Sequence, residues 1–155
     1  MTLGTTLSVL DPSLYIPDLK ARKRDAALAE LAELAQRQGV VRGASLLLDL
    51  LLLRERLGTT AVGKGVALPA ARSLTVERPQ LVIARSRRGI DWSAFDGEPV
   101  SLVLLALSPA ESSDAAHHAF VARGAAVARL QRNRQKLLEA PNVETVMTVL
   151  REVTA

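Results

Sequence analysis

The sequence predicts an α/β fold in which helices cover both faces of a small mixed sheet, and three observations predict it. Hydrophobic spacing alternates between strand and helix periods in the order β-α-α-β-β-β-α-α-α. One helix, Ala44 to Leu57, has leucines at 46, 47, 48, 50, 51, 52 and 53. They point in nearly all directions, as on a helix largely buried against a sheet. Two runs centred on continuous apolar residues, Gln80 to Ser86 and Val100 to Leu107, fit interior strands. The 155 residues are 48% apolar but only 3% aromatic, so the core must be aliphatic, and the length suits one domain.

Taken in order, Asp11-Pro12-Ser13 reads as a turn. A short strand follows near Leu14 to Leu19, at a sheet edge because Pro17 cannot donate to a ladder. From Asp18 to Gln38 the period is helical: Leu28, Leu31, Ala32 and Ala35 form an apolar face, and Gly39 closes the helix. Gly58 ends the leucine-dense second helix. Thr60 to Leu68 reads as one strand punctuated by Gly63 and Gly65, stopping where Pro69 stiffens a turn. The strand from Gln80 leads into a loop, Gly89 to Pro99, that carries Trp92, Phe95 and a turn at Asp96-Gly97. Val100 to Leu107 is the central strand. Ser112 to Leu130 is helical and carries the only two histidines, His117 and His118. Asn133 to Ala140 is a short helix broken at Pro141, and Asn142 caps the last one.

There are no cysteines, so disulfides and thiolate metal sites are excluded. No cofactor or metal is expected. The net charge of +4 is mild, with acidic residues interspersed among basic ones. Arg129, Arg132 and Lys136, and a second group of Arg85, Arg87 and Arg88, lack the interleaved aromatics of a nucleic-acid surface. They read as solvated or partner-facing. Met1 to Leu10 has no basic start before its apolar residues and does not read as a signal peptide. The longest apolar run, Leu46 to Leu53, is interrupted by Asp49 and far too short to span a bilayer. A cytoplasmic protein is expected, not one embedded in a membrane.

The stretch Arg54-Glu55-Arg56-Leu57-Gly58-Thr59-Thr60-Ala61-Val62-Gly63-Lys64-Gly65-Val66-Ala67-Leu68-Pro69 resembles the signature of the fructose/mannitol-type enzyme IIA domains of the bacterial phosphotransferase system. That group includes the nitrogen-regulatory enzyme IIA proteins. Gly89-Ile90-Asp91-Trp92-Ser93-Ala94-Phe95-Asp96-Gly97-Glu98-Pro99-Val100 is similar to the family segment before its central strand. Pro109 followed by His117 resembles the approach to the family's second histidine. The resemblance spans nearly the whole chain. It implies a single enzyme IIA type-2 domain over residues 1–155, folded as a three-layer α/β/α sandwich around a small mixed sheet.

The family's phosphoacceptor histidine follows the proline of the glycine-spaced strand, and here that position is Ala70. A methyl group cannot act as nucleophile toward phosphorus, so phosphate transfer through this position is expected to be absent. The resemblance carries over Arg54 as the arginine beside the phosphohistidine, and His117 as the second histidine, with His118 one residue away as the alternative. Gly63 and Gly65 read either as a phosphate-cradling loop or as a bulged strand. Thr60 and Ser73 are hydroxyls near the vacant position. The vestigial phosphate site is therefore Arg54, Thr60, Gly63, Gly65, Pro69 and His117 around Ala70.

The function expected is regulatory, through binding an HPr-like phosphocarrier protein, a regulatory target protein or a transporter. Two further expectations stand beside it: an anion- or phosphometabolite-sensing domain, and a cytoplasmic regulatory module of a transporter, by analogy with anion-exchanger domains of this fold.

Overall fold

The computed structural model describes residues 9–154. Strand β1 (Leu10–Ile16) precedes helices α1 (Arg24–Arg37) and α2 (Ala44–Leu57). Five strands follow: β2 (Ala61–Gly63), β3 (Val66–Ala67), β4 (Ala70–Ser73), β5 (Gln80–Ile90) and β6 (Val100–Pro109). Helices α3 (Asp114–Arg129), α4 (Gln131–Glu139) and α5 (Val143–Thr154) complete the described chain. The strands form one mixed sheet, ordered β1-β5-β6-β3-β2, with β4 also pairing with β6. β5 and β6 are antiparallel, β1 is parallel to β5, and β3 and β4 are parallel to β6.

The two-residue alternation of strand side chains divides the core. Val82 and Ala84 of β5, with Val103, Leu105 and Leu107 of β6, pack under α1 and α2 with Leu28, Leu31, Leu47 and Leu51. Leu81, Ile83, Leu102, Leu104 and Ala106 face the other way, against Phe120, Val127, Leu137, Val146 and Leu150 of α3 to α5. Helices thus cover both faces, as the sequence predicts, and the two continuous apolar runs are the strands buried on both sides.

The stretch expected as one strand from Thr60 to Leu68 is a hairpin followed by an additional strand. Gly63, Lys64 and Gly65 have φ of 91°, 60° and 76°. Three successive left-handed residues turn the chain back, and the two glycines make that turn accessible. Pro69 does not end the segment. Its carbonyl accepts from the Ala106 amide at 3.0 Å, and β4 starts at the next residue.

The expected turn at Asp11-Pro12-Ser13 lies inside β1. The Asp11 carboxylate accepts from the Ser13 amide and hydroxyl at 2.9 and 2.8 Å, and the pairing with β5 shifts register between Leu10 and Tyr15. A bulge at a sheet edge accommodates this turn chemistry and the proline together. Helix α1 begins at Arg24 and not at Asp18, because the bent segment before it is held against β5, with the Leu19 amide on the Arg85 carbonyl at 2.7 Å. β5 continues past Ser86 to Ile90. Gly39 (φ 76°) closes α1, and the Asn142 side chain accepts from the Thr145 amide at 2.9 Å, as expected for a cap. The reading of residues 1–8 lies outside the described residues.

Candidate functional site

Glu55 organises the first half of the motif. It is one helical turn past Leu51 on the inner face of α2 and is 5% exposed. One carboxyl oxygen accepts from the Thr60 amide at 3.1 Å and the Trp92 indole N–H at 3.2 Å, and the other accepts the Thr60 hydroxyl. One buried side chain therefore ties together the helix end, the start of the hairpin and the loop after β5. Thr60 and Trp92 are buried with it. The Arg54 side chain points outward, and its Nη1 donates to the Gly58 carbonyl at 2.7 Å. It satisfies an orphan carbonyl at the end of its own helix.

The hairpin turn rests on the loop. The Asp96 carboxylate accepts from the Lys64 amide and the Glu98 amide, each at 3.1 Å. The Glu98 amide first, then the Lys64 amide, hold its pKa below the usual carboxylate value. A Cβ at Gly63 would stand 3.3 Å from the Asp96 carboxylate, on a backbone conformation that side chains resist. The Gly65 carbonyl accepts from the Ser101 and Leu102 amides at 2.8 and 3.1 Å. Gly63 and Gly65 fasten the hairpin to the loop and to β6. Of the loop's two aromatics, Trp92 is buried and Phe95 is 95% exposed.

β4 builds the second half. Ala70 pairs with Ala106 and Arg72 with Ser108 in parallel register. Alternation puts Ala70 and Arg72 on the face covered by α3 to α5, and Ala71 on the other. Arg72 Nη1 donates to the Ser112 carbonyl at 3.1 Å and pairs with Asp114 at 2.6 Å. That contact lowers the Asp114 pKa. The Ser113 hydroxyl caps α3 by accepting from the Ala116 amide at 3.1 Å. One turn on, His117 Nδ1 lies 2.8 Å from the Ser108 hydroxyl. His117 is half-buried, whereas His118 is exposed. Partial burial, then the Arg72 cation, lower the His117 pKa and favour the neutral imidazole.

The sequence-predicted residues thus separate. Ala70, Pro69 and His117 gather at the β4–β6–α3 corner, while Thr60, Gly63 and Gly65 serve the hairpin and Arg54 its own helix end. The two candidate hydroxyls are engaged elsewhere. Thr60 is spent on Glu55, and Ser73, on the strand face opposite Ala70, accepts from the Thr75 amide at 3.2 Å. Sequence reasoning missed Arg72, Ser108 and Asp114. Arg72 lies on β4, a strand past Pro69 that the sequence did not announce. Ser108 needed the parallel register, which no local pattern carries.

A six-stranded mixed sheet thus lies between two helical layers, with His117 and Arg72 close together beside β4. Residues 8–153 match the family described as "Phosphoenolpyruvate-dependent sugar phosphotransferase system, EIIA 2", and the chain belongs to that family. It is 39% identical over 140 residues to a nitrogen regulatory protein of Bradyrhizobium diazoefficiens, covering 90% of each chain. It is 36% identical over 131 residues to the fructose-specific EIIA component of Haloferax volcanii, covering 84% of each. The crystal structure of nitrogen regulatory protein IIA-Ntr from Neisseria meningitidis superposes with a TM-score of 0.84 at 26% identity, covering 93% of this chain and 97% of that one. The chain is thus an EIIA-like protein of the nitrogen-regulatory type. Among the described residues, no helix is long and apolar enough to cross a membrane.

Proposed function

We propose that this chain is a cytoplasmic regulatory EIIA module that acts by binding and accepts no phosphate on histidine. The observation that carries the reading is Ala70, a methyl group on the same strand face as Arg72, beside the corner where Ser108 holds His117. Attack on phosphorus needs a lone pair that alanine does not have. In this reading Arg54, Thr60, Gly63, Gly65, Pro69 and His117 keep the frame of the family site without its nucleophile. The partners would be an HPr-like phosphocarrier protein, a regulatory target protein or a transporter. Asp114 supports binding over anion sensing, since its carboxylate already pairs with the cation an anion would seek.

The test is incubation with labelled phosphoenolpyruvate, enzyme I and the phosphocarrier. The wild-type chain stays unlabelled, and Ala70→His acquires label. Label on the wild-type chain overturns the reading. An unlabelled Ala70→His chain that still folds shows that the site has lost more than its nucleophile.

A further inference from the structure

Helix α2 carries apolar side chains on two faces. The inner face, Leu47 and Leu51 with Leu48 and Leu52 packed beside them, belongs to the core under α1 and α2. On the outer face Leu46, Leu50, Leu53 and Leu57 recur at intervals of four, three and four residues, the spacing of a coiled-coil seam. Leu46 and Leu53 are each 53% exposed and Leu57 82%. Leu50 is half-buried and packs in neither core cluster. This stripe runs about 16 Å along the helix. Asp49 and Arg56 flank it on one side, seven residues apart and both exposed. At about 10 Å of axial separation they do not pair with each other, and neither side chain has an ion pair among the described residues.

We infer that α2 is a homodimer interface in which two copies pair antiparallel across a two-fold axis. A solvent-exposed seam with coiled-coil spacing fits a helix carrying the same seam, and a two-fold interface is self-complementary. In the antiparallel register Leu50 layers on Leu53 of the second copy, and Leu46 on its Leu57. The same register sets Asp49 of each copy against Arg56 of the other. Both free charges are then used, twice over by symmetry. A parallel pairing would instead bring Asp49 toward Arg54, which is already held by the Gly58 carbonyl, and would leave Arg56 without a partner. The charge pattern therefore selects the antiparallel dimer. This interface is independent of position 70 and goes beyond the binding role proposed above.

Sedimentation equilibrium of the full chain tests it. The wild type dimerises with a dissociation constant on the order of micromolar, as expected of a small interface. Leu50→Lys with Leu53→Lys, both on the outer face, weakens association at least about 100-fold with unchanged circular dichroism. Asp49→Arg alone and Arg56→Asp alone each set two like-charge contacts and weaken it roughly tenfold. The combined swap restores it, because the antiparallel register re-forms both pairs. Phe95→Ser leaves it unchanged. A wild type that stays monomeric up to about 1 mM, or a double-lysine chain that still dimerises, overturns the interface. A combined swap that does not restore association overturns the antiparallel register.

Discussion

Glu55 and His117 are both polar side chains on helices packed against the same sheet, yet they are held differently. Around Glu55 three donors converge from two segments, and every participant is buried. Around His117 there is one hydrogen bond to Ser108, an Arg72–Asp114 pair whose aspartate side chain is 78% exposed, and a half-buried ring. An unpaired group in the first setting pays the full desolvation penalty, whereas in the second water replaces the lost partner. The motif that resembles a catalytic signature therefore contains two kinds of residue. One kind holds the fold and persists whether or not chemistry occurs. The other is exposed to change at little cost in stability.

The sharpest way to break this contrast is Glu55→Ala. It strands three buried donors, and urea unfolding should show a loss of about 3 kcal/mol or more. Glu55→Gln keeps an acceptor and should lose less. Trp92→Phe removes one donor and some packing, with an expected loss of about 1–2 kcal/mol in the same measurement. Arg72→Ala and His117→Gln should each change stability by no more than about 0.5 kcal/mol. If either matches Glu55→Ala, the contrast between the halves fails.

The smallest effect expected is pH-dependent. Because folding lowers the His117 pKa, the unfolded chain binds more protons in acid. Stability should therefore fall as pH drops below the ordinary histidine value of about 6.5, and level off once pH passes below the lowered folded value. Thermal unfolding across this range should show a shallower slope in His117→Gln. An unchanged slope assigns the acid loss to other groups.

Much of the fold was legible because period and burial are local signals. Leu81 to Ala84 and Leu102 to Leu107 announced strands buried on both faces, and Leu28, Leu31 and Ala35 announced a helix face. The hairpin at Lys64 was not legible, because its three positive φ angles look in sequence like glycines punctuating one strand. β4 was hidden by Pro69, whose free carbonyl still joins the ladder. At the candidate site His117 could be picked out by type, but Ser108 and Asp114 could not. Their nearness to Arg72 comes from parallel pairing of segments 36 residues apart and from the entry of α3. The separate duties of Arg54 and Glu55, adjacent in the motif, appear only when the helix shows which of them faces inward.

Position 70 lies on a strand rung, with its backbone fixed by the Pro69 carbonyl on one side and by pairing to β6 on the other. Nothing in that anchorage depends on the side chain. Its side chain, by contrast, packs at the edge of the core cluster under α3 to α5. If the proposed binding role holds, position 70 separates relay from adaptor by one side chain carried on a fixed backbone.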